Sequence, residues 1–299
     1  MKKLNILLTG GSGFIGKNIL EQRKEKYNII APSHDSLDLL DTETVDNFFE
    51  ENKIDIVIHC ANIGGLRSDL NVDNMFKDNL KMFFNIIKNK DKVKKIISLG
   101  SGAEYDKSSD IKEVRESKFD LKIPKDNYGF YKYICSKYIE NSSNIYCLRL
   151  FGIFGKYEDY RVKFISNIIC KYIYKQPLNM IQDAYFDYLY IDDFVKILDF
   201  FINTNPKFNI YNIGTGKRIS LLSIAKKINN LDKYSLKINV QKKGLNKEYT
   251  CNNKRLVAEF NNINFTKIED SLVYLYNYYK QSIDTLDKRS ILKDKYNKL

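Results

Sequence analysis

The sequence predicts a doubly wound α/β fold, a parallel sheet with helices on both faces, joined to a smaller α+β C-terminal lobe. Three observations predict it. Short apolar runs alternate with longer amphipathic ones over the first ~210 residues. A glycine-rich loop joins the first apolar run to the first amphipathic stretch. Beyond Gly155 the alternation loosens.

The apolar runs Lys3–Leu8, Asn28–Ala31, Asp55–Cys60, Lys95–Leu99 and Ile145–Leu150 read as buried strands, each bounded by Gly, Pro or polar residues. Between them, Gly13–Lys26, Thr42–Asn52, Asn74–Asn89 and Asn127–Glu140 carry helical patterns. Such alternation requires right-handed crossovers, hence a parallel sheet covered on both sides. Gln281–Leu299 is rich in charge and reads as a terminal helix or frayed tail.

Composition excludes several classes. At 299 residues and 43% hydrophobic, the chain is long enough to bury a sizeable core. No apolar run approaches the ~18 residues of a spanning helix, so no membrane insertion is expected. Met1-Lys2-Lys3 before Leu4–Leu8 imitates a signal peptide, but the run is brief and passes straight into Thr9-Gly10-Gly11. Five cysteines, with no Cys-x-x-Cys pair, imply neither a disulfide framework nor a zinc site and fit a cytoplasmic setting. The net charge of +12 comes mostly from scattered lysines, with only eight arginines, so no nucleic-acid partner is expected; a small polyanionic substrate remains compatible. Two histidines, His34 and His59, leave little material for a metal cluster or a serine–histidine triad.

Thr9-Gly10-Gly11-Ser12-Gly13-Phe14-Ile15-Gly16 follows a strand and opens a helix. Gly10, Gly13 and Gly16 give a G-x-x-G-x-x-G spacing, which suits a tight turn and close approach of backbone to a pyrophosphate at a helix N-terminus. This marks a dinucleotide-binding (Rossmann) unit, with Phe14 and Ile15 in the cradle. Residues 1–155, with about 190–215, are assigned to it; residues 156–189 and 216–299 form the substrate lobe. The second strand ends in Ile30-Ala31-Pro32-Ser33-His34, with no carboxylate before Asp35. A carboxylate there would repel a 2′-phosphate, so its absence favours NADP(H) and leaves NAD(H) possible.

Tyr128-Gly-Phe-Tyr-Lys132 places a phenol and an ammonium at i, i+4 on one helix face. A phenol is a poor acid–base group at neutral pH, and a nearby ammonium or oxidised nicotinamide stabilises its ionised form. Ser101, closing the strand before it, supplies a hydroxyl for the reacting oxygen. Tyr133-Ile-Cys-Ser-Lys137 repeats the same spacing five residues on.

The chain resembles the extended short-chain dehydrogenase/reductases, in particular the NAD-dependent epimerase/dehydratase branch acting on nucleotide sugars. The resemblance runs from residue 4 to about 256. It is carried by Thr9–Gly16, Asp55-Ile-Val-Ile-His-Cys-Ala61, Asn79, Ser101-Gly-Ala-Glu-Tyr105, Tyr128-Gly-Phe-Tyr-Lys132, Arg149-Leu-Phe-Gly-Ile-Phe-Gly155, Tyr190-Ile-Asp-Asp193 and Tyr211-Asn-Ile-Gly-Thr-Gly216. It implies a catalytic set of Ser101, Tyr128 and Lys132, and glycine after the tyrosine selects Tyr128 over Tyr133. It also places Ser33, His34, Asp38, Leu39, Cys60, Ala61 and Asn79 around the cofactor. Relatives often dimerise through two helices of the cofactor domain, so a homodimer is expected.

Departures from the family pattern discriminate among reactions. The 4,6-dehydratases carry Asp-Glu after the triad hydroxyl, where this chain has Gly102-Ala103. GDP-fucose synthases resemble Asp35–Asp41 and the pair Gly64-Gly65, but carry a cysteine where Ala103 stands. Two groups that usually hold the substrate diphosphate are replaced by Phe186 and Gly152. Glu104 stands where an aliphatic residue is usual and is read either as a solvated strand-end charge or as a contact to sugar hydroxyls; Gly102 and Gly152 are the other substrate-side candidates. The resemblance implies reduction of the 4-keto group of a nucleotide-activated sugar, in surface-polysaccharide precursor synthesis. The alternatives are a C4-epimerase or 4-dehydrogenase with tightly held NAD, and a non-catalytic cofactor-binding regulator.

Overall fold

Ile6, Leu7 and Leu8 are all fully buried, as a strand covered on both faces requires. They belong to β1 (Asn5–Thr9), the start of a regular alternation in the computed structural model, which describes residues 3–65, 74–261 and 263–293. There follow α1 (Phe14–Arg23), β2 (Asn28–Ile30), α2 (Thr42–Glu51), β3 (Ile56–His59), α3 (Met75–Ile87) and β4 (Lys95–Ser101). Next come β5 (Ile111–Val114), α4 (Asn127–Ile139), β6 (Ile145–Leu150), β7 (Ile153–Phe154) and α5 (Phe164–Ile173). The chain continues through β8 (Leu178–Asp183), β9 (Tyr185–Phe186), β10 (Leu189–Tyr190), α6 (Ile191–Asn203), β11 (Ile210–Ile213), β12 (Ile219–Ser220) and α7 (Leu221–Ile228). It closes with β13 (Ile238–Leu245), β14 (Tyr249–Cys251), α8 (Lys254–Glu259), α9 (Ile268–Gln281) and α10 (Lys288–Leu292). Part of the expected C-terminal tail lies outside the described residues.

Six strands form one parallel sheet in the order β11-β6-β4-β3-β1-β2. The chain runs outward from β1 to β2, then crosses back to β3 on the other side. The C-terminal ends of β1 and β3 therefore flank the crevice where strand order reverses, the usual ligand position in such sheets. Period-two alternation distributes the strand residues between two cores. Ile6, Leu8, Ile56, Ile58, Ile97 and Leu99 meet Phe194 and Phe201 of α6 on one face. Leu7, Val57 and Ile96 meet Val45 and Phe49 of α2, Phe83 and Ile86 of α3, and Tyr131 of α4 on the other. A third core joins Ile165, Ile168 and Ile169 of α5 to Ile224 of α7 and Leu272 and Leu275 of α9.

Two differences from the sequence reading bear on the site. Strand ends move: β1 reaches Thr9, and β4 runs on through Gly100 to Ser101, which closes it as expected. Ile111–Val114, inside the stretch assigned to the nucleotide unit, pairs with β14 in a second sheet ordered β12-β9-β14-β5. This pairing leaves no local signal because its partners are far apart along the chain. Lys95 is buried on β4; its Nζ donates to Phe201 O at 2.6 Å and to Thr204 O, closing the carbonyl end of α6. Among the described residues no helix is long and apolar enough to cross a membrane.

Glu158 is buried in the smaller lobe, where its Oε2 accepts a hydrogen bond from Ser166 Oγ at 2.6 Å. Burial pushes its carboxyl up to about 7, from an ordinary 4.5. The folded state thus holds this proton more tightly than the unfolded chain. Its stabilising effect is complete below the ordinary value and is lost as pH rises through about 7. Glu158→Gln removes the titration. Relative to the parent, the variant is expected to gain on the order of 1–3 kcal/mol between pH 5 and pH 8, read by denaturant unfolding at the two pH values.

Candidate active site

The glycine loop shows which of its glycines the protein itself requires. Gly10 sits at φ +69°, and a Cβ there would lie 2.7 Å from the Ala61 amide nitrogen, against the turn that leaves β3. A Cβ on Gly16 would lie 2.2 Å from Gly10 O. Both positions exclude a side chain for internal reasons. Gly13 differs: it has an ordinary extended conformation, and its Cβ would come no closer than 3.4 Å to Gly10 O. It is the N-cap of α1 and offers no side-chain cap. The first N–H groups of α1, those of Phe14 and Ile15, thus open onto a space left free by the missing side chain. The arrangement fits the pyrophosphate of a dinucleotide cofactor, with the partial positive charge of the helix end facing it.

The floor of this crevice is tied by short-range bonds. Thr9 Oγ1 lies 2.9 Å from His59 Nδ1 and accepts from the Ala61 N–H at 3.3 Å. Burial, and secondarily the Lys132 ammonium, push the His59 imidazole down to about 3, so it remains neutral and acts as a hydrogen-bonding strut. Asn79 is placed differently from expectation. Its amide donates to Ile63 O and Met75 O and accepts from the Ile63 N–H. Both of its donors are engaged, so it anchors the Cys60–Gly65 loop from beneath instead of offering itself to a phosphate or ribose.

Beyond β2, Ser33 and His34 are exposed, and Ser33 Oγ meets Ser36 Oγ at 3.0 Å. Asp38 accepts from the Leu40 N–H at 2.8 Å and lies 3.9 Å from His34 Nδ1. The Leu39 side chain is buried in the core below α2 and α3.

The candidate reacting groups Ser101, Tyr128 and Lys132 lie on β4 and α4. Lys132 Nζ donates to Leu99 O at 2.5 Å, two residues before Ser101 on the same strand. Tyr128 is half-buried; its ring packs over Gly65, where a Cβ would lie 2.8 Å from Cε2, and stands edge-on to Tyr131 at 5.5 Å. Ser101 Oγ accepts from the Ala103 N–H at 3.1 Å and lies 3.4 Å from Tyr249 Oη. Burial keeps the Tyr249 phenol well above its usual range, and Tyr128 acts on it electrostatically. The structure therefore gathers Ser101, Tyr128 and Tyr249 at one edge of the crevice. Tyr133 faces elsewhere, its Oη donating to Asp120 and its ring 5.1 Å from Phe119. Tyr249 escaped sequence reasoning; in a chain with 22 tyrosines, no local signal marks it.

Three substrate-side expectations need correction. Glu104 is neither solvated nor directed at a sugar: it has no exposure and is ion-paired with buried Arg149. Gly152, at φ +28°, is explained by packing, since a Cβ would lie 2.2 Å from Asp187 O. Gly102 turns the chain against Phe151 and Tyr249, where a Cβ would come within 2.6 Å of both side chains. Its smallness is required by this packing.

The model of the NAD dependent epimerase/dehydratase family matches residues 6–214, from β1 through β11 and the turn beyond it. The chain belongs to this family. It is similar to the GDP-L-colitose synthase of Yersinia pseudotuberculosis, with 27% identity over 75% of this chain and 81% of that one. It is also similar to the dTDP-D-glucose 4,6-dehydratase of Dictyostelium discoideum, with 30% identity over 76% of this chain and 62% of that protein. The fold matches that of the GDP-L-fucose synthetase from Naegleria fowleri bound to NADP, with a TM-score of 0.82 and 18% identity over 96% of this chain and 98% of the other. In this epimerase/dehydratase fold the cofactor cradle lies where the strand order reverses.

Gly13 and Gly16 separate the cradle from its packing. Gly13→Ala is expected to fold with a melting temperature close to the parent's, while NADPH affinity falls by about tenfold or more as the methyl enters the pyrophosphate space. Gly16→Ala is expected to lower the melting temperature as well, because its methyl meets backbone. Differential scanning fluorimetry and NADPH titration of the two variants check this.

Proposed function

We propose that the protein is an NADPH-dependent reductase of the 4-keto group of a nucleotide-activated sugar. The observation that carries this reading is the turn after Ser101. Gly102 packs against Phe151 and Tyr249, and the neighbouring Ala103 is only 1% exposed. Neither residue can remove or return a carbon-bound proton, so the position used for elimination or for epimerisation at neighbouring carbons is chemically silent. What the site keeps is a hydroxyl, a phenol and an ammonium, which suffice for a carbonyl and its alcohol.

Ser101 suits the role of hydrogen-bond donor to the ketone oxygen, because the Ala103 N–H takes one of its two lone pairs and leaves its O–H to donate. Tyr128, packed beside Gly65, would give the proton that the developing alkoxide takes up. Lys132, bonded to Leu99 O, would bind the nicotinamide ribose and set the orientation of the ring beside the sugar. When bound, NADPH supplies the reducing equivalent to the ketone carbon. The preference for NADPH rests on Ser33 and His34, which leave the end of β2 without a carboxylate. Phe84 and Tyr138, 40% exposed and edge-to-face at 5.5 Å on α3 and α4, support pairing of two copies through these helices.

Turnover is tested with NADPH and 4-keto-6-deoxy sugars carrying GDP, dTDP or UDP. Tyr128→Phe is expected to abolish turnover while NADPH affinity stays within about twofold, since only the transferable proton is lost. Tyr133→Phe is expected to keep most activity. The opposite pattern would refute the assignment.

Reaction in deuterated water followed by NMR checks the chemistry itself. The product is expected to carry no solvent deuterium at sugar C3 or C5. Incorporation there above a no-enzyme control, or a preference for NADH of about tenfold, would replace the reductase with an epimerase or dehydrogenase.

A further inference from the structure

Glu104 takes no part in the chemistry above, yet a carboxylate without solvent exposure requires partners. It has three. Oε1 accepts from the Ser101 N–H at 2.8 Å; Oε2 accepts from Ser136 Oγ at 2.5 Å and from Arg149 Nε. The bond to Ser101 is reciprocated within the turn, where Ser101 Oγ accepts from the Ala103 N–H and closes a capping box. That box sets the direction of the Ser101 hydroxyl. Ser136 lies on α4 one turn beyond Lys132, which is itself one turn beyond Tyr128. The three share a helix face.

One carboxylate therefore bonds to the strand end presenting Ser101 and to the helix presenting Tyr128 and Lys132. We propose that Glu104 is a positioning residue that holds these two elements in register, a role that rests on the catalytic reading given above. Arg149 supplies the compensating charge. Its Nη1 donates to Tyr105 Oη at 2.9 Å, and its guanidinium lies 3.9 Å from the centre of the Phe119 ring. The pair is thus fixed on both sides, and the carboxylate cannot follow α4 if the helix shifts.

Removing Glu104 or Arg149 leaves the opposite charge buried and unpaired, so those variants report on folding as much as on register. Ser136→Ala cuts the bond between Glu104 and α4, together with the 3.1 Å contact of Ser136 Oγ with Cys147 Sγ on β6. The ion pair and the capping box remain, and alanine suits a buried helix position. The whole chain carrying Ser136→Ala is compared with the parent in thermal melting, NADPH titration and steady-state reduction of the 4-keto-6-deoxy nucleotide sugars.

The expected result is a kcat lower by about tenfold, with the sugar KM nearly unchanged and the melting temperature close to the parent's. NADPH Kd is expected to rise by about threefold, because Lys132 moves with the helix. Where the parent turns over, an unchanged kcat overturns the proposal, whatever happens to melting or KM. Where the parent reduces none of the ketosugars, the reductase reading fails separately. The NADPH Kd then decides: a rise supports the register role, and an unchanged value overturns it.

Discussion

The site depends on a backbone-to-backbone approach at the carboxyl ends of β1 and β3. Gly10 packs against the Ala61 amide and Gly16 packs against Gly10, at distances that leave no room for a methyl. This contact brings the first helix close to the sheet and sets its N-terminus over the reversal of strand order. Thr9, bonded to both His59 and Ala61, locks the two strand ends at the same level. The loop below α1 is thus held by the chain's own packing, which fixes the orientation of the first N–H groups of α1 without any ligand.

Around that fixed point the structure uses polar groups in two ways. Some are open, as are the first N–H groups of α1 and the Tyr128 phenol. Others are consumed internally, and they include residues that look functional from their type alone. Asn79, His59 and Glu104 are all buried and hydrogen-bonded within the chain. Their work is to place other groups. In a buried environment a fully satisfied network of this kind is rigid, and that rigidity is what a site of three side chains from two elements needs.

Much of the sheet was legible because parallel strands buried on both faces are continuous apolar runs, which interrupt an otherwise polar sequence. β6 matches its expected bounds, and α4 ends one residue short of them. The turn chemistry of Gly10–Gly16 was legible for the same local reason. What stayed hidden joins residues far apart in sequence. Arg149 meets Glu104 across 45 residues, and Tyr249 meets Ser101 across 148. Two-residue strands such as β9 and β12 are too short to show any period; β12 pairs with β9, and β9 in turn with β14. Glu104 was misjudged because residue type suggested a solvated charge, while its partner lay one strand away.

The pairing of β5 with β14 also bears on the order in which the molecule is made. The six-stranded sheet acquires its last strand at Ile213, but the strand that carries Tyr249 emerges from the ribosome some three dozen residues later. Until then Ile111–Val114 has no partner on the β14 side and Ser101 lacks the Tyr249 phenol beside it. The nascent chain can therefore build the Gly10–Gly16 turn early, while the edge of the crevice formed by Tyr249 closes only near the end of synthesis.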